Sequence, residues 1–236
     1  GHCSVVNLPA RTEPLTWQEK IISDFGISSA QVALLEELLE LLTGISDRNL
    51  TAVTTADLIV DVHFRDSLSL LSFDELQTAD SVVDIGSGAG FPGLPLAIAS
   101  PDKSFLLLEA KGRKCEFLAA AIKTLCLTNV EIAAVRAEDA GRSTMRDHFD
   151  LALARAVGPL AVVLEYTLPL LTVGGTALMQ RGAREAGDKQ VSREIALMLG
   201  SELVSVSHVK PYPGSRNIHV WRFLKTLPTP ERFPRR

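Results

Sequence analysis

The sequence predicts an α/β protein, a doubly wound and mostly parallel seven-stranded sheet preceded by a helical extension. Three observations carry this. From Ser81 onward, short apolar runs alternate with segments of helical spacing, the rhythm of strands joined by helical crossovers. One such run (Val82, Val83, Ile85) enters four closely spaced glycines, Gly86, Gly88, Gly90 and Gly93, and reads as strand, tight turn and helix. Residues 1–72, before this alternation begins, read as helical.

The elements follow in order. Ser28-x-x-Gln31 is a capping box opening a helix with Val32, Leu34, Leu35, Leu38, Leu39, Leu41 and Leu42 on its apolar side. Glu36, Glu37 and Glu40 supply its wet face, and Gly44 is a stop signal. A polar loop over 46–51 separates it from a second helix over 56–63. We place the boundary between a helical extension and the sheet domain at 72/73. Strands are expected at 82–85, 105–109, 130–135, 149–154, 175–180, 202–209 and 218–224, and helices after the glycine turn and at 114–125, 159–171 and 184–199. No helix-length segment separates the last two strands, so they form a hairpin and one of them runs antiparallel to the rest.

Composition narrows the class. The 236 residues are 46% hydrophobic and 22% charged, as expected of one globular domain with a helical addition. Cys3, Cys115 and Cys126 have no CxxC spacing, and the histidines are scattered. Neither a disulfide framework nor a metal site is indicated, and a reducing cytoplasm is the expected compartment. No apolar run reaches about 18 residues and no secretory signal is present, so no membrane span is expected. The opening Gly1-His2 reads as the remnant of a cleaved tag. Net charge is −4 but unevenly spread. From Arg181 onward, eleven basic residues face five acidic ones (+6), against thirteen and twenty-three before it (−10). Such asymmetry marks either a binding face or a solvated tail.

The glycine turn fits two ligands. Gly88-x-Gly90-x-x-Gly93 matches the dinucleotide fingerprint. Asp84-x-Gly86-x-Gly88-x-Gly90 matches the S-adenosylmethionine loop of methyltransferases. Asp84 favours the second, because a carboxylate there suits an amine or hydroxyls better than a pyrophosphate. So do Pro92 and Pro95, which crowd a helix start whose free N–H groups a phosphate would need.

Further candidates follow the strands. Glu109 stands 19 residues beyond Gly90, placed to accept from ribose hydroxyls; both ligands carry ribose, so it does not separate them. Arg136-Ala137-Glu138-Asp139 ends the third strand, where a carboxylate or backbone group can take an adenine amino group or simply cap a helix. After the fourth strand comes Ala154-Arg155-Ala156, with no Asp/Asn-Pro-Pro-aromatic run and no Pro-Cys nucleophile. A guanidinium can hold a guanine edge or a phosphate but cannot act as a base, so Arg155 suits an acceptor that is already nucleophilic; its alternative role is a salt bridge. His63, three before Asp66, reads as a capped surface histidine or an acid–base group.

Together these residues resemble the GidB family, the bacterial 16S ribosomal RNA guanine-N7 methyltransferases. The resemblance runs from about Asn49 to the C-terminus through Asn49-Leu50-Thr51, His63-Phe64-Arg65-Asp66-Ser67-Leu68, the loop Asp84 to Gly93, Arg136-Ala137-Glu138, Ala154-Arg155-Ala156 and Arg216. It implies a Rossmann-like class I fold, S-adenosylmethionine as cofactor, and a monomer acting on 16S rRNA within the small subunit or its precursor. Gly86, Gly88 and Phe91 would then contact the cofactor with Asp84. Glu109, Ala110 and Lys111 would lie by its ribose and adenine, and Ala137 and Glu138 by the adenine. Asn49, Arg136, Arg155 and Arg216 would form the polar active-site set, Arg155 bordering cofactor and base alike. Two departures stand out. Arg181 holds a place where many relatives have lysine, and the chain stops at Arg236 where relatives with this ending continue into a short basic tail. A nicotinamide oxidoreductase and a non-catalytic RNA-binding factor that keeps the cofactor pocket are the competing readings.

Overall fold

The computed structural model describes residues 14–44, 53, 55–182, 189–215 and 218–235. Its centre is a seven-stranded sheet in the order β3-β2-β1-β4-β5-β7-β6. The strands are β1 (Ser81–Ile85), β2 (Ser104–Leu108), β3 (Val130–Ala133), β4 (Phe149–Arg155), β5 (Leu171–Arg181), β6 (Ser201–Val209) and β7 (Ile218–Lys225). β1 to β5 pair in parallel, and β7 runs antiparallel between β5 and β6. The expected hairpin is therefore present, and β7 is its reversed strand. β5 begins at Leu171, four residues before the expected start, and β3 ends at Ala133, two residues before the expected end.

Alternation along the strands splits the core in two. Val82, Leu151, Leu153, Leu178 and Val220 point to one face, where they meet α6 (Gly93–Ala99), α7 (Gly112–Thr124) and the N-terminal helices. Val83, Ile85, Ala152, Ala154, Met179 and Trp221 point to the other, against α9 (Leu160–Thr167) and α10 (Lys189–Met198). The part of the last expected helix over 184–188 lies outside the described residues.

The N-terminal helices are α1 (Trp17–Phe25), α2 (Ser29–Gly44), α3 (Ala56–Ile59), α4 (Asp66–Leu68) and α5 (Asp74–Thr78). The Ser28/Gln31 box forms as read, Gln31 Oε1 accepting from Ser28 N at 2.7 Å and Ser28 Oγ from Gln31 N at 3.3 Å. Val32, Leu35, Leu38 and Leu42 are the buried residues of α2, while Leu34, Leu39 and Leu41 are half-buried at its flanks. α1 carries a second box, Thr16 with Glu19, that the sequence reading passed over. The helix expected over 56–63 does not stop at His63. It widens into a π-turn over Val60–Arg65, narrows again in α4, and ends as a 3-10 turn at Ser72.

The C-terminal segment docks on the sheet domain. Phe233 is buried, and Arg146 donates to the carbonyls of Thr229 (2.5 Å) and Phe233 (2.8 Å). Arg235 pairs with Glu165 at 2.8 Å, Arg222 with Glu75 at 2.8 Å and Lys225 with Asp147 at 2.5 Å. Part of the basic surplus after Arg181 thus pairs with acids earlier in the chain and is not a solvated tail.

Candidate active site

The strand order reverses between β1 and β4, and in open α/β sheets the crevice beyond the carboxyl ends at such a point is where ligands bind. Five connections converge there: 86–92 after β1, 109–111 after β2, 134–136 after β3, 156–159 after β4 and 210–215 between β6 and β7.

The glycine loop is held from below and from the side. Gly86 N and Ser87 N both donate to Leu108 O, at 2.8 and 3.2 Å. Gly88 sits in the left-handed region at φ +62°, which a Cβ would disfavour, and its N–H donates to Glu109 Oε2 at 3.0 Å. The other oxygen, Oε1, accepts from Lys111 N at 2.8 Å. Glu109 therefore ties the loop to the start of α7. Each carboxylate oxygen keeps a second lone pair, so Glu109 retains capacity to accept from a hydroxyl. Ala110 and Lys111 lie exposed beside it.

Asp84 lies within β1 and faces the start of α6. It is wholly buried, and Oδ2 accepts from Gly93 N at 2.9 Å, anchoring the first turn of α6. Gly93 makes this approach possible, since a Cβ there would stand 2.3 Å from Leu107 Cδ2 and 2.7 Å from Asp84 Oδ2. Asp84 Oδ1 is buried with no hydrogen-bond partner among the described residues. Burial pushes the carboxyl up to about 7, against the opposing pull of the Gly93 and Ser87 bonds.

On the far side of the loop, Arg155 ends β4 and Gln180 sits opposite it on β5, both projecting to the face that carries the N-terminal helices. Arg155 Nη1 donates to the Val62 carbonyl and to Asp66 Oδ2, each at 3.0 Å. Its Nη2 lies 3.0 Å from His63 Nδ1, so that ring nitrogen is the acceptor. The guanidinium rests over the Phe91 ring at 5.4 Å, and Phe91 stacks on His63 at 4.4 Å between centroids. Gln180 Nε2 donates to the Asp66 carbonyl at 2.8 Å and to its Oδ1 at 3.2 Å.

His63 is thus buried, which corrects the surface position read from sequence. Its π-turn brings it inward together with the Val62 carbonyl, and such turns recur at functional sites. Burial, reinforced by Arg155, lowers its pKa to about 3, so the ring is neutral at physiological pH. Burial raises the Asp66 pKa, opposed by Arg155.

The structure brings Asp84, Gly86, Gly88, Phe91, Glu109, Ala110, Lys111 and Arg155 together around one loop. Ala137 and Glu138 open α8 (Ala137–Ala140) at the same sheet edge, with Arg136 exposed as its N-cap residue. Asn49 and Arg216 lie outside the described residues. Arg181 is buried at the end of β5. Gln180 is, in the sequence, only the last residue of the expected fifth strand; no local signal ties it to Asp66, since the contact spans 114 positions.

A family profile described as GidB, rRNA small subunit methyltransferase G, matches residues 31–218. The chain belongs to this family. Ribosomal RNA small subunit methyltransferase G of Chloroflexus aggregans is 39% identical over 232 residues, covering 97% of this chain and 96% of that relative. Its counterpart in Carboxydothermus hydrogenoformans is 38% identical over 221 residues, covering 91% and 92%. Among solved structures, the S-adenosylmethionine-dependent methyltransferase SibL superposes with a TM-score of 0.54 at 13% identity, covering 89% of this chain and 73% of that one. Precorrin-6y C5,15-methyltransferase from Geobacter metallireducens gives 0.53 at 16% identity, covering 77% and 94%. At these identities the structural likeness shows the fold, the Rossmann-like class I methyltransferase fold. Family membership places the chain among enzymes that methylate small-subunit rRNA.

Proposed function

We propose that the chain transfers a methyl group from S-adenosylmethionine to N7 of a guanine in 16S rRNA of the small ribosomal subunit. The cradle suits this cofactor. The glycine loop presents backbone with little side chain, Glu109 keeps acceptor capacity for ribose hydroxyls, and Ala137-Glu138 flank the position of an adenine. The buried, unpartnered Oδ1 of Asp84 lies at the base of the same loop. S-adenosylmethionine supplies a sulfonium-bound methyl for in-line displacement by a nitrogen lone pair. The chain's own residues bind, orient and exclude water.

One observation favours N7 above acceptors that must lose a proton. Among the described residues, the two proton acceptors hydrogen-bonded to Arg155 are His63 and Asp66, and both are committed to its guanidinium. His63 protonates only near pH 3, too low for a general base working near neutrality. Guanine N7 carries no proton, so its methylation needs approach and alignment rather than a base. Arg155 borders cofactor and base, with Asn49, Arg136 and Arg216 completing the polar set on the family pattern. The test is transfer from radiolabelled S-adenosylmethionine to small subunits purified from cells lacking this modification, followed by digestion to nucleosides. Label in 7-methylguanosine is the expected result; label in another nucleoside, or none, rejects the reading.

A further inference from the structure

We propose that Asp66, with His63 and the Val62 carbonyl, is the positioning apparatus that presents Arg155 to the acceptor nucleotide, so that the N-terminal helical segment is a working part of the active site. The inference rests on the proposed function for what Arg155 meets, and on geometry alone for what holds it.

An arginine has five N–H donors. In this structure three are spoken for: both on Nη1, by Val62 O and Asp66 Oδ2, and one on Nη2, by His63 Nδ1. The remaining Nε–H and second Nη2–H have no hydrogen-bond partner among the described residues. Two donors on neighbouring atoms match a pair of acceptor oxygens, or O6 together with N7 of guanine. The second match carries a hazard. A donor bonded to N7 occupies the lone pair that must attack the methyl group. An arginine free to rotate would sample that arrangement in many orientations; one held by three bonds beside the Phe91 ring keeps a single orientation. The clamp therefore fixes the orientation in which that two-donor edge is offered to O6 or a phosphate.

The clamp is itself braced. Asp66 is buried and receives Gln180 Nε2 from β5 at both its carbonyl and Oδ1. His63 is wedged by stacking on Phe91 of the glycine loop. The π-turn that ends at Arg65 delivers Val62, His63 and Asp66 to one guanidinium. Cofactor loop, β4, β5 and the helical segment thus meet at Arg155.

The decisive experiment compares wild type, Asp66→Asn and His63→Gln by two readouts, the first of which is repeated in an Arg155→Lys background. The first is methyl transfer split into kcat and KM for S-adenosylmethionine. The second is the rate at which phenylglyoxal labels Arg155, read by mass spectrometry, which needs no catalysis. Positioning predicts that kcat falls on the order of 10²-fold with KM for the cofactor unchanged. It also predicts that Arg155 labels faster in the Asp66 variant and that neither substitution lowers kcat further once Arg155 is lysine. Faster labelling with unchanged kcat, lower kcat with unchanged labelling, or losses that simply add to that of Arg155→Lys would each overturn the proposal. If Asp66→Asn does not fold, His63→Gln decides by the same criteria. A wild-type chain that methylates no guanine sinks the functional reading instead, and the labelling comparison still decides whether Asp66 holds Arg155.

Discussion

Two segments build this site and they are encoded in opposite ways. The glycine loop, Val82 to Gly93, is written in consecutive residues: a strand, its glycines and the first turn of α6 follow one another, and Asp84 closes the unit by accepting from Gly93 only nine positions away. The π-turn segment around His63 and Asp66 acquires its purpose from afar, through Arg155 about ninety positions on and Gln180 still further. The first is a mostly local device, steadied from the end of β2 by Leu108 and Glu109. The second exists only once the sheet has assembled, and the two touch where Phe91 stacks on His63.

The most disruptive way to break the pairing is at their junction. Arg155→Ala removes the acceptor-facing guanidinium and leaves Asp66 buried without its cation. We expect loss of transfer together with about 3–5 kcal/mol of stability, the usual cost of stranding one member of a buried pair. Chemical denaturation and the transfer assay read the two losses separately. Replacing both partners by apolar residues, as in Arg155→Met with Asp66→Leu, should restore much of the stability and none of the activity. An Arg155→Ala chain as stable as wild type would show that the pair contributes nothing to the fold.

Next in size is the local device. Gly93→Ala would push a methyl to 2.3 Å from Leu107 Cδ2, an overpacking that typically costs about 1–3 kcal/mol. Because the same residue seats Asp84, affinity for S-adenosylmethionine should fall with stability, measurable by calorimetry. Unimpaired cofactor affinity would uncouple Gly93 from the binding loop.

Legibility follows the same division. The strand–helix alternation, the hairpin at the end and the glycine turn were readable because period-two and glycine spacing are local signals. So was the Ser28 capping box. The burial of His63 was not, since a histidine beside an aspartate looks the same on a surface as in a core until its partner is known. Asp84 was legible as part of the motif, but its bond to the Gly93 N–H was not, because which group a carboxylate faces depends on a half-turn of backbone that the residue names do not carry. The basic surplus of the last third left two readings open in sequence, because its pairing with Glu75, Asp147 and Glu165 is long-range.

Two titrations sharpen the contrast, with opposite signs. The Asp84 carboxyl is raised to about 7 in the fold from 3.8, so the folded chain holds a proton that the unfolded chain has released, and this contribution to stability is lost as pH rises from about 4 through 7. Asp84→Asn removes that loss. Its melting temperature relative to wild type should climb between pH 4 and pH 8, and a constant difference would refute the burial argument. His63 is lowered to about 3 from 6.5. Here the unfolded chain gains the proton first, so stability is full above about 6.5 and declines as pH falls toward 3. His63→Gln should flatten that decline, and transfer should show no inflection from this ring between pH 6 and 8.

The smallest effect belongs to the outermost helix and tests how far the working part of the N-terminal segment extends. Thr16 caps α1 reciprocally with Glu19, on an exposed surface. Thr16→Ala removes the side-chain half of that box and should cost about 1 kcal/mol, typical for a lost N-cap. α1 does hold Asp24 against Arg65 at 2.5 Å, and Arg65 donates to the Pro211 carbonyl at 3.2 Å, whereas Arg155 is held by Val62, His63 and Asp66. If function enters the extension only through Val62, His63 and Asp66, the capping variant melts slightly earlier and transfers methyl groups at the wild-type kcat. A drop in kcat out of proportion to that small destabilisation would extend the active-site scaffold outward to α1 and make the helical layer, rather than one turn of it, the partner of the glycine loop.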